Sequence, residues 1–282
     1  MANPSRRERA HEHDHRQRGT EIYFKDWGDG PVVTFSHGWP LSADQWDGQM
    51  MFFNQHGFRT IAHDRRGHGR SGQPSSGNNM DTYADDLAAL IETLDLHDVT
   101  VVGHSTGCGE VARYIGRHGT GRVARIALIS GVPPHLAPTA ADPVGLPKEA
   151  FDGILGGLLA DRSGFYEGLA MQFYGANRPD AKVSQGILDE FWRESMQSGL
   201  KNSYECVVSL GESDFTPDLE RFDVPTLLIH GDDDQVVPVN NSERSARIIP
   251  DAKDIYYRGA PHGLTSTHQD QLNNDLLTFL ES

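Results

Sequence analysis

The sequence predicts an α/β fold with a mostly parallel sheet. Short apolar runs alternate with helical segments along most of the chain, several of these runs end in small residues, and no internal repeat is found. A strand, a helix and a second strand in succession form a parallel pair with a right-handed crossover. With 282 residues, the chain has the length of one large domain, or of one domain that carries an insertion.

Five strands and three helices are expected in the first half of the chain. Residues 20–27 alternate between polar and apolar side chains, which is typical of a strand. Apolar runs that suit buried strands follow in 31–38, 58–64, 98–105 and 122–131. The helices between them are expected over 42–56, where Ser42 is suited to cap the first turn, over 81–94 and over 109–118.

The alternation stops in residues 132–215, which begin with a Pro-rich loop and continue as helical segments. It resumes with strands in 224–231 and 254–259 and with helices near 242–248 and 266–280. We therefore predict three parts: a flexible polar N-terminal arm (1–18), an α/β core (19–131 and 216–282) and a helical cap inserted in the core (132–215).

Charge, cysteine count and the N-terminus narrow the expected partners and location. A formal net charge of -15 repels nucleic acid and anionic membranes, so neither is an expected partner. The first residues are basic without a following apolar run, which argues against a secretory signal. The HEHDH cluster at 11–15 has no apolar neighbours to fix metal ligands, so a solvated arm is expected there. Cys108 and Cys206 are expected to be free thiols in a reducing compartment, which favours the cytoplasm.

Residues 103–107, GHSTG, match the G-x-S-x-G pattern of a nucleophile elbow. A predicted strand precedes the motif and a predicted helix follows it, so the chain has to turn sharply at Ser105. Glycines two residues away on either side prevent clashes at this turn, which holds the hydroxyl at the carboxyl edge of the sheet. Ser105 is therefore the candidate nucleophile.

A serine hydroxyl is a weak nucleophile and needs a general base. When a serine lies on an elbow of this kind, the acid comes next along the chain and the histidine last. His262 follows the last predicted strand on a short loop and is the candidate base. His230 lies within an apolar strand and is expected to be buried and structural, whereas His268 lies on the terminal helix.

The candidate acid lies in the loop after the strand that ends at Gly231. Asp234 is three residues beyond Gly231 and is favoured over Asp232 and Asp233. Such an acid would orient the imidazole and stabilise its charged form. A calcium loop is not expected, because Val236 stands where a third oxygen ligand would be needed.

Two backbone N–H groups are the candidate donors of an oxyanion hole. One belongs to Thr106, directly after the nucleophile. The other belongs to Trp39, in the loop 36–40 after an early strand. Pro40 has no N–H and fixes the turn just beyond this donor, and the Trp39 side chain is also a candidate wall of the acyl pocket.

Residues 67–72, GHGRSG, match the G-x-G-x-x-G pattern of a dinucleotide site. That site needs a helix that begins at the motif, so that its N-terminus meets the pyrophosphate. The residues that follow, QPSSGNN, are typical of a loop. We therefore expect a structural turn braced by Asp64 with Arg65 or Arg66, and no nucleotide cofactor.

The motifs HGWP, HDRRGHGRSG, GHSTG, HGDDDQ and GAPHG, in this order, resemble the α/β-hydrolase superfamily. The resemblance is strongest to the cofactor-free (non-haem) bacterial haloperoxidases or chloroperoxidases and to their arylesterase relatives. EVARYIGRHG, FYGANRP and SDFTPDL extend it, so that it covers the chain from about residue 20 to the C-terminus.

The resemblance implies an α/β-hydrolase fold of about eight strands with a helical cap. It also implies a triad of Ser105, Asp234 and His262, oxyanion donors at Trp39 and Thr106, and no metal, haem or flavin. The implied reaction is hydrolysis of small carboxylic esters through an acyl-enzyme. In many members of the family, hydrogen peroxide replaces water and a peracid forms, so a small ester or carboxylic acid and hydrogen peroxide are the implied partners.

Some features leave the reaction open. Close relatives often have Met in place of Thr106 and Gly in place of Cys108. The side chain of Cys108 is expected to crowd the elbow. Ser105 argues against dehalogenases and epoxide hydrolases of this fold, which need a carboxylate nucleophile. A lactonase or carbon–carbon bond hydrolase with the same triad and a non-catalytic ligand receptor remain as alternatives.

Overall fold

The structure is a computed structural model that describes residues 19–140 and 142–282. The N-terminal arm and its HEHDH cluster lie outside the described residues. The strands of the described part are β1 (Phe24–Trp27), β2 (Val32–Ser36), β3 (Arg59–His63), β4 (Val99–His104), β5 (Val123–Ile129), β6 (Thr226–Gly231) and β7 (Lys253–Tyr257). They form one sheet in the order β1-β3-β2-β4-β5-β6-β7.

The sheet is mostly parallel. Strand β1 pairs antiparallel with β3, and every other neighbouring pair is parallel. The predicted α/β fold class is thereby confirmed, with seven described strands where the resemblance implies about eight.

The helices that the alternating pattern predicts are present, and further helices lie in the segment where the alternation stops. They are α1 (Asp47–Gln55), α2 (Met80–Thr93), α3 (Thr106–His118), α4 (Lys148–Phe173), α5 (Gln185–Gln197), α6 (Leu200–Glu212), α7 (Thr216–Leu219), α8 (Asn240–Ile248), α9 (Leu264–Thr267) and α10 (Gln269–Leu280). A short 3-10 helix over Ala43–Trp46 precedes α1, and the Ser42 side chain caps it by accepting a hydrogen bond from the N–H of Asp44.

Helices cover both faces of the sheet. On one face, α2 and α3 bury apolar side chains such as Leu87 and Val111. On the other face, α1 and α10 bury Met50 and Leu276 among others. All residues of β4 are buried, as expected for a central parallel strand. The loops at the carboxyl ends of the strands are therefore free to build a site.

The chain between β5 and β6 contributes α4, α5, α6 and α7. Helix α4 is interrupted at Asp161, whose φ of -155° and ψ of 86° are not helical. The Asp161 carboxylate accepts a hydrogen bond from the N–H of Gly164 and so caps the second half of α4. The division into core and cap and the cytoplasmic location stay predictions. Among the described residues, no helix is long and apolar enough to cross a membrane.

Candidate active site

Ser105 lies at the junction between β4 and α3. Its φ of 54° and ψ of -118° are strained for a residue with a side chain, which is typical of a nucleophile elbow. The backbone leaves no space beside it, because a Cβ atom on Gly107 would lie 2.1 Å from the carbonyl oxygen of Ser36. On Gly103, a Cβ atom would lie 2.6 Å from the Gly107 carbonyl oxygen. Both glycines of the motif are therefore required by close backbone approach.

His262 and Asp234 are brought together by the loops after β7 and β6. The Nδ1 atom of His262 lies 2.6 Å from Oδ2 of Asp234. The Oδ1 atom of the same carboxylate accepts hydrogen bonds from the N–H groups of Val236 and Val237, both at 2.8 Å. Burial disfavours the charged carboxylate, but the neighbouring His262 and the hydrogen bonds outweigh it and hold the pKa of Asp234 well below its ordinary value.

The other nitrogen of His262 faces the interior. His262 is fully buried, and its Nε2 atom has no hydrogen-bond partner among the described residues. The ring centroids of His262 and His104, the residue before Ser105, are 4.9 Å apart. His262 thus lies beside the elbow with a free nitrogen, although no hydrogen bond joins it to Ser105 in the described part of the chain.

A second histidine bonds to the same acid. The Nε2 atom of His230 lies 3.0 Å from Oδ2 of Asp234, and its Nδ1 atom lies 2.7 Å from the hydroxyl of Ser242. His230 is fully buried, as its apolar strand suggests. The sequence analysis does not predict its hydrogen bond to Asp234. The signal that could have indicated it is the spacing, since His230 and Asp234 are four residues apart across the end of β6.

Asp232 and Asp233 point elsewhere. The Asp232 carboxylate accepts a hydrogen bond from the N–H of Gly259. The Asp233 carboxylate forms a two-pronged ion pair with Arg178 at 2.6 and 2.7 Å. Of the three consecutive aspartates, Asp234 is the one that contacts His262.

The loop after β2 presents the N–H of Trp39. The carbonyl oxygen of Gly38 accepts hydrogen bonds from the N–H of Leu41 at 2.9 Å and from Nδ1 of His37 at 2.8 Å. Because the Gly38–Trp39 peptide is planar, fixing this carbonyl fixes the Trp39 N–H in the opposite direction. Thr106 is the first residue of α3, so its N–H has no partner one turn earlier in the helix.

A buried ion pair lies beneath this loop. Arg65 donates from Nε to Glu110 at 2.6 Å and from Nη2 to the carbonyl oxygen of His37 at 2.7 Å. Glu110 also contacts His63 and Ser36. Burial alone would raise the pKa of Glu110, but Arg65 and His63 lower it to about 2. Glu110 lies on α3, so the pair connects the helix that follows Ser105 to the loop of Trp39.

His37 is held in one tautomer by its two partners. Its Nε2 atom accepts the N–H of Arg65 at 2.9 Å, while its Nδ1 donates to Gly38. Burial and the positive charge of Arg65 lower the pKa of His37 well below its usual value, so the ring stays neutral. Neither His37 nor Arg65 was expected to orient a backbone donor.

An apolar cavity of about 70 Å³ opens on Ser105 and Thr106. Trp39 lines it, as predicted, and Val236 and Val237 of the Asp234 loop close one side. The helical segment between β5 and β6 supplies the remaining walls, among them Phe151, Ile154, Phe165, Leu169, Phe173 and Val207. A larger surface cleft of about 800 Å³ lies between α4 and α5, but neither Ser105 nor His262 lines it. The smaller cavity is therefore the candidate substrate pocket.

Cys108 does not crowd the elbow as expected. It is fully buried, and its Sγ atom lies 3.2 Å from the carbonyl oxygen of Gly103 and 3.4 Å from that of Ile129. Its neighbour across the interface is Gly131, which has no side chain to compete for the space. The thiol thus occupies space beside Gly131, just beyond the end of β5.

The segment 67–72 forms a structural turn as expected, but the residue that pairs with Asp64 is Arg70 and not Arg65 or Arg66. The Asp64 carboxylate accepts hydrogen bonds from the backbone and side chain of Arg70, while Arg66 pairs with Asp86. The next helix begins only at Met80, so no helix N-terminus opens at the motif. Within residues 19–140 and 142–282, no group of three or more His, Cys, Asp or Glu side chains is arranged to hold a metal ion.

Known proteins resemble this chain along most of its length. Residues 31–268 match the family described as alpha/beta hydrolase fold. A non-heme haloperoxidase from Rhodococcus erythropolis is 52% identical over 266 residues, which cover 94% of this chain and 97% of the relative. A bifunctional esterase/perhydrolase from Acinetobacter calcoaceticus is 49% identical over 268 residues, with 94% and 97% covered. The crystal structure of a bromoperoxidase from Bacillus anthracis superposes with a TM-score of 0.91 at 38% identity, covering 95% of this chain and 98% of that one.

Proposed function

The chain belongs to the α/β-hydrolase family, and we propose that it is a serine hydrolase of small carboxylic esters that also catalyses perhydrolysis. The observation that carries this proposal is the 2.6 Å contact between His262 and Asp234, next to a serine held at a strained elbow. The names of the two relatives above support the same pair of reactions.

The first half of the proposed reaction forms an acyl-enzyme. His262 takes the hydroxyl proton of Ser105 as the oxygen attacks the ester carbon. The N–H groups of Trp39 and Thr106 donate to the negative oxygen that develops, and Asp234 stabilises the charged imidazole. The leaving alcohol then receives the proton from His262. The hydrogen bond from Ser105 to His262 is expected to form when substrate binds, because such bonds are often long without it.

The second half releases the acyl group. His262 removes a proton from water or from hydrogen peroxide, whose oxygen attacks the acyl carbon of the acyl-enzyme. The bond to Ser105 breaks, and its oxygen takes the proton back from His262. Water yields a carboxylic acid, whereas hydrogen peroxide yields a peracid. Neither half needs a metal or an organic cofactor.

The cavity limits the acyl group. A volume of about 70 Å³ is about half that of a roughly 150 Å³ engineered cavity that holds a benzene molecule. This space suits an acetyl or a propionyl group, and the apolar walls offer no partner to a charged one. Because α4 and α6 form much of the wall, the same observation supports residues 132–215 as a cap on a core of 19–131 and 216–282.

Ser105→Ala tests the nucleophile. We expect hydrolysis of 4-nitrophenyl acetate to fall by at least about a thousandfold, since no acyl-enzyme can form. The matched control is Ser245→Ala, which removes the hydroxyl of a buried serine in α8 that does not line the cavity and should keep full turnover. Equal rates for wild type and Ser105→Ala would overturn the assignment.

Bromination tests perhydrolysis, because a released peracid oxidises bromide to the brominating species and is itself reduced to the carboxylic acid. In acetate buffer with bromide and hydrogen peroxide, the wild type should brominate a dye and Ser105→Ala should not. Omission of acetate should stop the wild-type reaction, because acetate supplies the acyl group of the peracid. Bromination that persists without a carboxylic acid would rule out the peracid route.

A further inference from the structure

Gln45 connects the loop of Trp39 to the residue that precedes the nucleophile. Its Oε1 atom accepts the N–H of Gly38 at 2.9 Å, and its Nε2 atom lies 2.8 Å from Nδ1 of His104. Gly38 is in direct contact with the elbow, since a Cβ atom there would lie 2.7 Å from Nδ1 of His104 and 3.3 Å from the Cβ of Ser105.

His104 continues the connection to the loop of the base. Its Nε2 atom lies 3.0 Å from the carbonyl oxygen of His262. The same carbonyl also accepts a hydrogen bond from the hydroxyl of Ser130 at 3.3 Å. His104 is fully buried and neutral, because burial and the neighbouring His262 lower its pKa to about 3.

Gly38, Gln45, His104 and His262 are joined by consecutive hydrogen bonds. The groups at the two ends fix the direction of every bond between them. The backbone N–H of Gly38 can only donate, so Gln45 must turn its oxygen towards it and its NH₂ towards His104. The carbonyl of His262 can only accept, so His104 must carry its proton on Nε2 and leave Nδ1 to accept. The two ends therefore select one amide orientation and one tautomer, and no alternative satisfies all three bonds.

From this geometry we infer that Gln45 and His104 are positioning residues for catalysis. They form a polar relay that sets the spacing between the oxyanion donor, the nucleophile and the base. Gly38 precedes the N–H of Trp39, His104 precedes Ser105, and the relay ends on the backbone of His262. The inference rests on the proposed function, because it assigns those three groups their parts in ester hydrolysis.

The relay should act on the chemical step and not on substrate affinity. Gln45 and His104 are absent from the cavity wall, so they make no contact with a bound acyl group. Their loss would leave a buried N–H or ring nitrogen unpaired and allow the loop of Trp39 to shift. A shift of the oxyanion donor weakens binding of the transition state more than binding of the ester, so kcat should fall while KM stays near its wild-type value.

The test uses Gln45→Met, His104→Phe and the double variant, each of similar size to the residue replaced. With 4-nitrophenyl acetate, we expect kcat to fall about tenfold or more in each single variant, with KM changed less than about twofold. The double variant should lose no more than the worse single variant, because the two side chains work as one unit. Independent losses that multiply in the double variant would overturn the relay.

Gln49→Met is the matched control. Gln49 is buried, whereas Gln45 is half-buried, and the Nε2 atom of Gln49 donates to the carbonyl oxygen of Thr265 at 2.9 Å. Its loss therefore also leaves a buried polar group unpaired. Urea unfolding of all variants separates stability from turnover. If Gln45→Met loses no more kcat than Gln49→Met at equal stability, the inference is wrong. If Gln45→Met does not fold, His104→Phe decides alone by the same comparison.

Ser105→Ala distinguishes the two levels of failure. If Ser105→Ala is inactive and the relay variants keep full kcat, the relay is wrong and the proposed function stands. If Ser105→Ala keeps full activity, the proposed function fails and the relay fails with it.

Discussion

Gly107→Ala offers a sharp test of how the elbow is built. Gly107 lies in the first turn of α3, two residues after Ser105, and faces the end of β2. An added Cβ atom would lie 2.1 Å from the carbonyl oxygen of Ser36 and 3.0 Å from that of His37. Both atoms belong to backbone, so neither can rotate away as a flexible side chain would.

The displacement that the added Cβ atom requires determines how large the loss of activity should be. A carbon atom and a carbonyl oxygen approach no closer than about 3.3 Å, so α3 and the loop of Trp39 must separate by roughly 1 Å. Ser105 lies at the start of α3, and the proposed oxyanion donor, the N–H of Trp39, lies on the loop. A misplacement of this size can cost about a hundredfold in rate, which corresponds to about 2.7 kcal/mol of transition-state stabilisation. Overpacking of the interface should also destabilise the fold by about 1–3 kcal/mol.

The assay is kcat/KM for 4-nitrophenyl acetate, with urea unfolding in parallel. Gly153→Ala is the control, because Gly153 is exposed in α4 and an added Cβ atom would meet nothing within 4 Å. The control should keep its turnover and gain about 0.5–1 kcal/mol in stability from the better helix former. Retention of more than about a third of wild-type kcat/KM by Gly107→Ala would refute the steric argument.

Two further predictions concern buried titratable groups. Glu194 in α5 accepts hydrogen bonds from the N–H and hydroxyl of Ser42, and burial, with Asp44 and Glu190 nearby, raises its pKa to about 8. The unfolded chain ionises this group near pH 4.3, so wild-type stability should fall as pH rises from about 5 to 8, by up to about 1.4 kcal/mol per pH unit. In urea unfolding at pH 5.5 and 7.5, Glu194→Gln should reduce that fall by up to about 2.7 kcal/mol, and equal slopes would contradict the assignment. Burial raises the pKa of Cys206 to about 11 and that of Cys108 further, so a thiol reagent at pH 8 should label neither in the native state and both in denaturant, whereas rapid native labelling would contradict their burial.

The fold could be predicted because each strand has a recognisable local pattern of apolar and small residues. An apolar run followed by small residues predicts a buried parallel strand, and β2, β4 and β6 all match segments expected on that basis. The edge strand β1 was expected over 20–27 and covers only Phe24–Trp27, since an exposed edge has a weaker apolar pattern. The predicted helix boundaries agree with the structure to within a few residues. Helix α2, for example, is predicted over 81–94 and runs from Met80 to Thr93.

The candidate site could be predicted only where a residue follows a strand directly. Ser105, Asp234 and His262 each lie in a loop that follows a strand. The position of each could therefore be predicted from the sequence of that strand and loop alone. His37, Arg65 and Gln45 were missed because their roles depend on partners from distant segments. Glu110, which pairs with Arg65 at 2.6 Å, is 45 residues away along the chain, and no local pattern connects the two.

The sheet order explains why these distant loops form one site. The strands β2, β4, β5, β6 and β7 are consecutive neighbours and all parallel, so their carboxyl ends share one edge. At that edge, β2 presents Trp39, β4 presents Ser105, β6 presents Asp234 and β7 presents the loop of His262. Strand β5 leads to Ser130, whose hydroxyl bonds to the His262 carbonyl.

The pocket wall has a different origin. It comes largely from the helices between β5 and β6, where Phe173 packs against the His262 ring with centroids 4.7 Å apart. Strand order therefore holds Ser105, Asp234 and His262 at the sheet edge, while a separate segment of the chain supplies most of the cavity wall. Substitutions that enlarge the pocket, at Phe151 or Leu169 for example, should alter which ester is preferred and leave the geometry of His262 and Asp234 intact.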